Sequence, residues 1–338
     1  MTRLLLRTRR RHLFSVFAAS LCLALAGCGG GGGGGGSAPP PTGGGTPPPT
    51  GTRYVDRVFT GFVETQAVPF GAGEREQTLE LLLMDIYTPA DDTETDRPVV
   101  LLAFGGAFVS GVRSDLRDLA IDFALRGYVA ATIDYRLLQT QPADADAATI
   151  AILQPVHDLK AAVRFFREDA ATADTYGTDG EFVFAAGVSA GAVLALTAGV
   201  LDESDSLTPG VEAWLATKGG LDGNSSANAG QYSSEVQGVL SVSGAIGDLS
   251  WVDDKTVPFY AAHEEFDAVV PCGMGTGDLG GFPIIGFGSC DVVPAADAAG
   301  VQNEFFFVAG ATTHVGYSTA DITTILDGGA ALFASLLP

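Results

Sequence analysis

Two periodicities run through the chain from about residue 54 onward. Residues 78–87 (TLELLLMDIY) and 55–65 read as strands, with Gly71-Ala72-Gly73 turning between them. Short apolar runs at 98–104, 128–135, 181–186, 236–242, 257–262 and 304–309 have the length of buried strands. Between them lie stretches of helical period. Residues 114–126 start at Ser114 and stop at Gly127, and 155–170 put Val156, Leu159, Val163 and Phe166 on one face. Residues 190–201, 294–300 and 318–337 complete the helical set. Strands alternating with helices predict an α/β fold around a mostly parallel sheet. In such sheets, ligand chemistry sits at the carboxyl ends of the strands.

The first 52 residues follow neither period. Arg3, Arg7, Arg9, Arg10 and Arg11 precede an apolar run at 13–26, which is 14 residues long. A spanning helix needs about 20, so this is the pattern of a signal peptide at 1–27. It ends in Leu25-Ala26-Gly27-Cys28, which resembles a bacterial lipobox, so Cys28 is expected to carry lipid. Residues 29–36 are all glycine, and proline-rich repeats follow. No core can be built from them, so 28–52 reads as a tether and 53–338 as one catalytic domain. The protein is therefore expected in the bacterial cell envelope, held at the membrane by lipid.

Charge narrows the partners. The chain has 18 Lys and Arg against 40 Asp and Glu, a net of −22. Losing the five leader arginines leaves 13 against 40, or −27. Such a surface repels phosphate backbones and disfavours polyanionic substrates. A small neutral substrate fits better. Cys22 leaves with the leader and Cys28 takes lipid. Cys272 and Cys290 remain, and outside the cytoplasm they are expected to pair. The acidic residues are scattered, not at ligand spacing, so no metal or cofactor is expected.

After the strand at 181–186 stands Gly187-Val188-Ser189-Ala190-Gly191, a G-x-S-x-G pattern running into a helix. A serine on a tight strand-to-helix turn needs small neighbours, and the helix start aims N–H groups at it. Ser189 is the candidate nucleophile. Outside the leader, the histidines are His157, His263 and His314. His157 lies in a helix and reads as a surface residue. His314 follows the strand at 304–309 in a loop and can reach a serine at the top of the sheet. The orienting acid should fall between them in chain order. Asp267 is the choice, with Glu264 and Glu265 in reserve. Gly106 and Ala107, after the strand at 98–104, and Ala190, after the nucleophile, are candidate N–H donors to an oxyanion.

These segments together resemble an α/β-hydrolase of the carboxylesterase/lipase type. MDIYTP (84–89), FGGAFVSG (104–111), DYRL (134–137), HDLKAAVRFFRE (157–168), HEEFDAVVP (263–271) and GATTH (310–314) occur in that family's order. The resemblance implies a serine esterase acting through an acyl-enzyme, with Ser189, Asp267 and His314 as its triad. One position departs from it. The family's histidine before Gly-Gly is Phe104 here. A silent binding lipoprotein on the same fold, or a peptidase or polyester depolymerase with the same triad, are the competing readings. Residues 202–235 are too polar for a large apolar lid. The apolar stretch between the two cysteines instead follows Asp267, and Phe108, Phe282 and Ile285 are expected to line the substrate pocket.

Overall fold

The computed structural model describes residues 51–75 and 78–338. The leader, Cys28 and most of the tether lie outside the described residues. In chain order the elements are β1 (Phe62–Arg75), β2 (Thr78–Pro89), β3 (Arg97–Ala103), α1 (Arg117–Arg126), β4 (Val129–Ile133), α2 (Ala145–Ala171), β5 (Thr178–Val188), α3 (Ala190–Val200) and α4 (Pro209–Lys218). There follow β6 (Val239–Val242), β7 (Ala245–Ile246), β8 (Phe259–Glu264), β9 (Met274–Leu279), β10 (Phe282–Gly288), α5 (Ser289–Ala299), β11 (Asn303–Val308) and α6 (Thr319–Ser335).

Eight strands form one sheet in the order β1-β2-β4-β3-β5-β6-β8-β11. β1, β2 and β4 pair antiparallel, and every pairing from β4 to β11 is parallel. β3 and β4 are buried along nearly their whole length, because helices cover both faces. α2 and α3 pack together on one face, and α1 and α6 meet on the other. The parallel strands therefore end in a common rim. β5 leads to Ser189, β8 to Asp267 and β11 to His314.

Several elements differ from the periodicity reading, each for a local reason. The strand expected at 55–65 begins at Phe62 and runs to Arg75, so Gly71 and Gly73 sit inside the ladder rather than in a turn. They serve close approach. A Cβ on Gly71 would stand 2.3 Å from the Ser225 carbonyl, and one on Gly73 2.4 Å from the Arg136 guanidinium. The helix expected from Pro155 starts ten residues earlier, at Ala145. The Asp144 carboxylate accepts from the Ala147 N–H at 2.9 Å, and Pro155 lies in the interior. Reading that proline as a helix start missed the stronger cap. Before α1 comes a 3₁₀ turn, Arg113–Leu116, closed by Asp115 accepting from the Val112 N–H, not by Ser114. Residues 274–288, expected as loop, form the β9–β10 hairpin of a second, three-stranded antiparallel sheet with β7. The polar segment 202–235 contains α4, capped by Thr208.

A buried ion pair ties these layers together. Asp158 of α2 is fully buried and accepts from the Arg136 backbone N–H at 2.8 Å and its guanidinium at 2.7 Å. Ser225 donates to the same carboxylate at 2.8 Å, while Arg136 also reaches the Glu74 and Gln154 carbonyls. One charged pair thus joins β1, the end of β4, α2 and the segment after α4.

His157, expected on a helix surface, is 2% exposed. Its ring stacks on Trp214 of α4 at 5.2 Å, with the planes 10° apart. Burial, reinforced by the charges of Arg136, Lys160 and Arg164, pushes its pKa down from 6.5 to about 3. The folded chain therefore keeps His157 neutral in a range where the unfolded chain protonates it. The unfolded state binds the extra proton, so this residue's contribution is full above pH 6.5 and falls as the pH drops towards about 3. Urea unfolding midpoints measured between pH 7 and 4 should fall less steeply in His157→Gln than in the wild type; equal slopes would remove this residue from the acid sensitivity of the fold.

Candidate active site

β5 turns into α3 through a single residue, Ser189, with φ 55° and ψ −121°. A non-glycine residue in that region is strained and persists only where its surroundings hold it. Here the Ser189 N–H donates to the Val242 carbonyl at 2.8 Å. The flanking glycines have no alternative. A Cβ on Gly187 would lie 2.1 Å from the Gly191 carbonyl, and one on Gly191 1.9 Å from the Ala103 carbonyl. Ala190 is the first residue of α3, and among the described residues its N–H and that of Gly191 have no protein acceptor. The helix start thus presents N–H groups and partial positive charge beside the Ser189 hydroxyl.

His314 Nε2 lies 2.8 Å from Ser189 Oγ, and His314 Nδ1 lies 2.6 Å from Asp267 Oδ2. A carboxylate accepts, so Nδ1 carries the proton and Nε2 is free to accept from the serine hydroxyl. Asp267's side chain is fully buried, and its other oxygen accepts from the Val269 and Val270 N–H groups at 2.8 and 3.0 Å. Both of its oxygens are therefore held by named donors. His263 is also buried, with its Nε2 3.7 Å from Asp267 Oδ2, but its hydrogen bonds go to other groups. Its Nε2 donates to the Val270 carbonyl at 2.9 Å, and its Nδ1 accepts from Ser289 at 3.0 Å. Burial lowers its pKa and keeps it neutral. The two reserve carboxylates do not reach the imidazole. Glu264 accepts from Thr313 and from the Gly316 N–H, and Glu265 from the Gly310 N–H at 2.6 Å.

The loop after β3 backs directly onto the serine: a Cβ on Gly105 would lie 3.2 Å from Ser189 Cβ. Gly106, Ala107 and Phe108 all have positive φ (123°, 53° and 61°). For Ala107 and Phe108 that is a strained conformation, held by hydrogen bonds from the Val109 and Ser110 N–H groups to the Gly106 carbonyl. Among the described residues, no protein group accepts from the Gly106 or Ala107 N–H. Phe104 fills its position by packing. Its ring stacks on Tyr135 at 4.2 Å, and the Tyr135 hydroxyl donates to the Phe104 carbonyl at 2.7 Å. A tyrosine from the end of β4 thus orders the loop from below.

An apolar cavity of about 120 Å³ opens beside Ser189. α3 lines it with Ala190, Val193 and Thr197, and α2 with Thr149, Ile152 and Leu153. Trp251 and Ile246 close one side; Val269, Val270, Ile284 and Ile285 form the wall made by the acid loop and the hairpin. Phe108 and Ile285 line this cavity. Phe282 does not: it starts β10 at the closed end of the hairpin, opposite Leu279, and packs on the body of the domain beyond the cavity. No residue of 202–235 lines the cavity. The sequence does not point to the α2 residues, which precede the helix start expected at Pro155, nor to Trp251, which lies in a short 3₁₀ turn with no periodic signal. Cys272 and Cys290 form a disulfide at the open ends of the hairpin, and the Cys290 N–H donates to the Cys272 carbonyl at 2.7 Å.

An open, mostly parallel sheet with helices on both faces, a strained serine elbow after its fifth strand and a histidine after its last parallel strand define the α/β-hydrolase fold, and this chain has it. A family model described as BD-FAE matches residues 84–249. Among solved structures, the fold is similar to a propionate-bound thermophilic esterase, Est2, of the Planctomycetes species Thermogutta terrifontis. That likeness has a TM-score of 0.56 at 19% identity and covers 80% of this chain and 95% of the other. The sequence is 27% identical over 229 residues to Esterase LipQ of Mycobacterium tuberculosis, covering 62% of this chain and 50% of that protein. It is also 33% identical over 124 residues to the non-reducing polyketide synthase ausA of Aspergillus calidoustus, or 34% of this chain and 5% of the synthase. The chain thus spans half or less of the length of these two curated relatives.

Proposed function

We propose that the protein hydrolyses carboxylic esters through a serine acyl-enzyme. The observation that carries this reading is the unbroken hydrogen-bonded chain Ser189–His314–Asp267 at a helix start, opening on an apolar cavity. In this mechanism His314 Nε2 takes the hydroxyl proton as Ser189 Oγ attacks the ester carbonyl. Asp267 holds the imidazole in the required tautomer and stabilises the imidazolium. The oxyanion takes hydrogen bonds from the Gly106, Ala107 and Ala190 N–H groups. His314 then gives its proton to the leaving alcohol, and a water repeats the sequence on the acyl-enzyme. These donors are backbone groups, so Phe104 removes none of them. The esterase names of LipQ and Est2 agree with this reading.

The cavity favours a small, neutral, apolar group. Its two threonine hydroxyls are already used, Thr149 on the Ala145 carbonyl and Thr197 on the Val193 carbonyl. A sugar hydroxyl would find few partners there, and the net charge of −22 disfavours anions. The sequence also supports export and anchoring through Cys28, which would place this domain at the envelope surface on a tether.

Three tests follow from this reading. Ser189→Ala should lower kcat by several orders of magnitude with folding intact, His314→Ala nearly as far, and Asp267→Asn through the wrong tautomer; a fully active Ser189→Ala enzyme ends the proposal. Across p-nitrophenyl esters from acetate to palmitate, kcat/KM should rise over the first few carbons, at about 0.8 kcal/mol per buried CH₂, then level or fall. Ile285→Ala should shift that profile, whereas preference for palmitate or an unmoved profile would refute the cavity assignment. In cell fractionation, Cys28→Ser should move the protein from membrane to soluble fractions, and a wild type extracted without detergent would count against the lipid anchor.

A further inference from the structure

Resting on the esterase reading above, we propose that Glu264 is the positioning residue of His314, holding the imidazole in line with Ser189 by closing the histidine loop around its own carboxylate. Glu264 is the last residue of β8 and pairs across the parallel ladder with Val308, the last residue of β11. It is 1% exposed, an uncommon place for a glutamate. What it does there is specific. Its Oε1 accepts from the Thr313 hydroxyl and, at 3.1 Å, from the Gly316 N–H, which also reaches Oε2 at 3.3 Å. Those two residues bracket His314. Gly316 is pressed so close to the bracket that a Cβ there would meet Thr313 Oγ1 at 2.4 Å and Glu264 Oε1 at 3.1 Å.

The turn so formed is a costly one. Val315, directly after His314, has φ 57°, a conformation that a β-branched side chain adopts only under constraint. The constraint comes from both sides. The carboxylate draws residues 313 and 316 inward, and the Tyr317 hydroxyl meets Ser243 Oγ at 2.8 Å beyond β6. With its neighbours tied down towards β8, His314 is the residue left pointing across the rim to Ser189. The acid and histidine loops are also joined directly, since the Phe266 N–H donates to the Ala311 carbonyl at 2.8 Å. Glu264 touches neither Ser189 nor the imidazole nitrogens, so it acts through the loop and not on the substrate.

Glutamine can replace this function. Its carbonyl oxygen at the Oε1 position keeps the Thr313 bond and the shorter Gly316 bond, and only the longer 3.3 Å contact to Oε2 is lost. Alanine would remove the one acceptor that the Thr313 hydroxyl and the Gly316 N–H share and free the strained turn. Misplacing a general base by about 1 Å costs on the order of 100-fold in rate. The test is steady-state kinetics of wild type, Glu264→Gln, Glu264→Ala and Thr313→Val on one p-nitrophenyl ester, together with the downfield proton NMR signal of the His314 Nδ1–H. Glu264→Ala should lose about 10- to 100-fold in kcat with KM changed less than about threefold, and Glu264→Gln should stay within about threefold of the wild type. The short bond to Asp267 should give its downfield signal in the wild type and in Glu264→Gln and lose it in Glu264→Ala. If Glu264→Ala does not fold, Thr313→Val decides, with an expected kcat loss of about 3- to 10-fold at unchanged KM. A folded Glu264→Ala enzyme with wild-type kcat and signal overturns the proposal, as does Glu264→Gln falling with Glu264→Ala, or an unaffected Thr313→Val where that variant decides. If the wild type hydrolyses no ester, the esterase reading has failed, and the proton signal alone then decides the role of Glu264.

Discussion

The contact on which the site depends is between backbones, where β5 passes into α3 over the end of β3. Gly191 lies against the Ala103 carbonyl and Gly187 against the Gly191 carbonyl, so closely that a methyl group fits at neither position. This forces the turn into one residue and drives Ser189 into a conformation it would not adopt alone. Strain of that kind, of order 1–3 kcal/mol, survives because the sheet on one side and the helix on the other leave no room to relax. The same squeeze brings the N–H groups of the helix start and the loop at Gly105 to the serine hydroxyl. The placement of the Ser189 hydroxyl and of the N–H groups beside it thus follows from one packing constraint.

His314 and Asp267 arrive by a different route. β8 and β11 are parallel neighbours, so the loops that leave them emerge side by side, and three carboxylates divide the work between those loops. Asp267 meets the imidazole, while Glu264 and Glu265 bind the backbone and hydroxyl groups of the histidine loop. His263 lies beneath Asp267 and joins the acid loop, through Ser289, to the start of α5 beside the disulfide. Buried polar groups with all their partners present give a site one geometry. The hairpin between the cysteines extends that ordered region outward and turns the acid loop's apolar flank into the wall of the cavity.

Much of this was legible in the residues. The alternation of apolar runs and helical stretches carries the α/β class, because burial on both faces of a parallel sheet demands continuous apolar strands. The glycines around Ser189 mark the elbow, because only a very tight turn needs them. Chain order points to His314 and to the acidic segment 264–267, because parallel strands deliver their following loops to one rim. Cys272 and Cys290, the two cysteines outside the expected leader and lipobox, point to the bond that the structure contains.

The tertiary structure decided what depends on contacts between segments distant in the chain. Gly71 and Gly73 look like turn residues until the Ser225 carbonyl and the Arg136 guanidinium are seen against them. His157 looks like a surface residue until α4 folds Trp214 onto it. Phe282 and Ile285 are equally apolar, yet only Ile285 reaches the cavity, because a hairpin's register and the position of its closed end are set by pairing and not by hydrophobicity. Asp267, Glu264 and Glu265 are three like charges within four residues, and sequence alone ranks them only by analogy. Which one meets the imidazole depends on how the loop after β8 bends against the loop after β11, and that bend is fixed by hydrogen bonds spanning some fifty residues of chain.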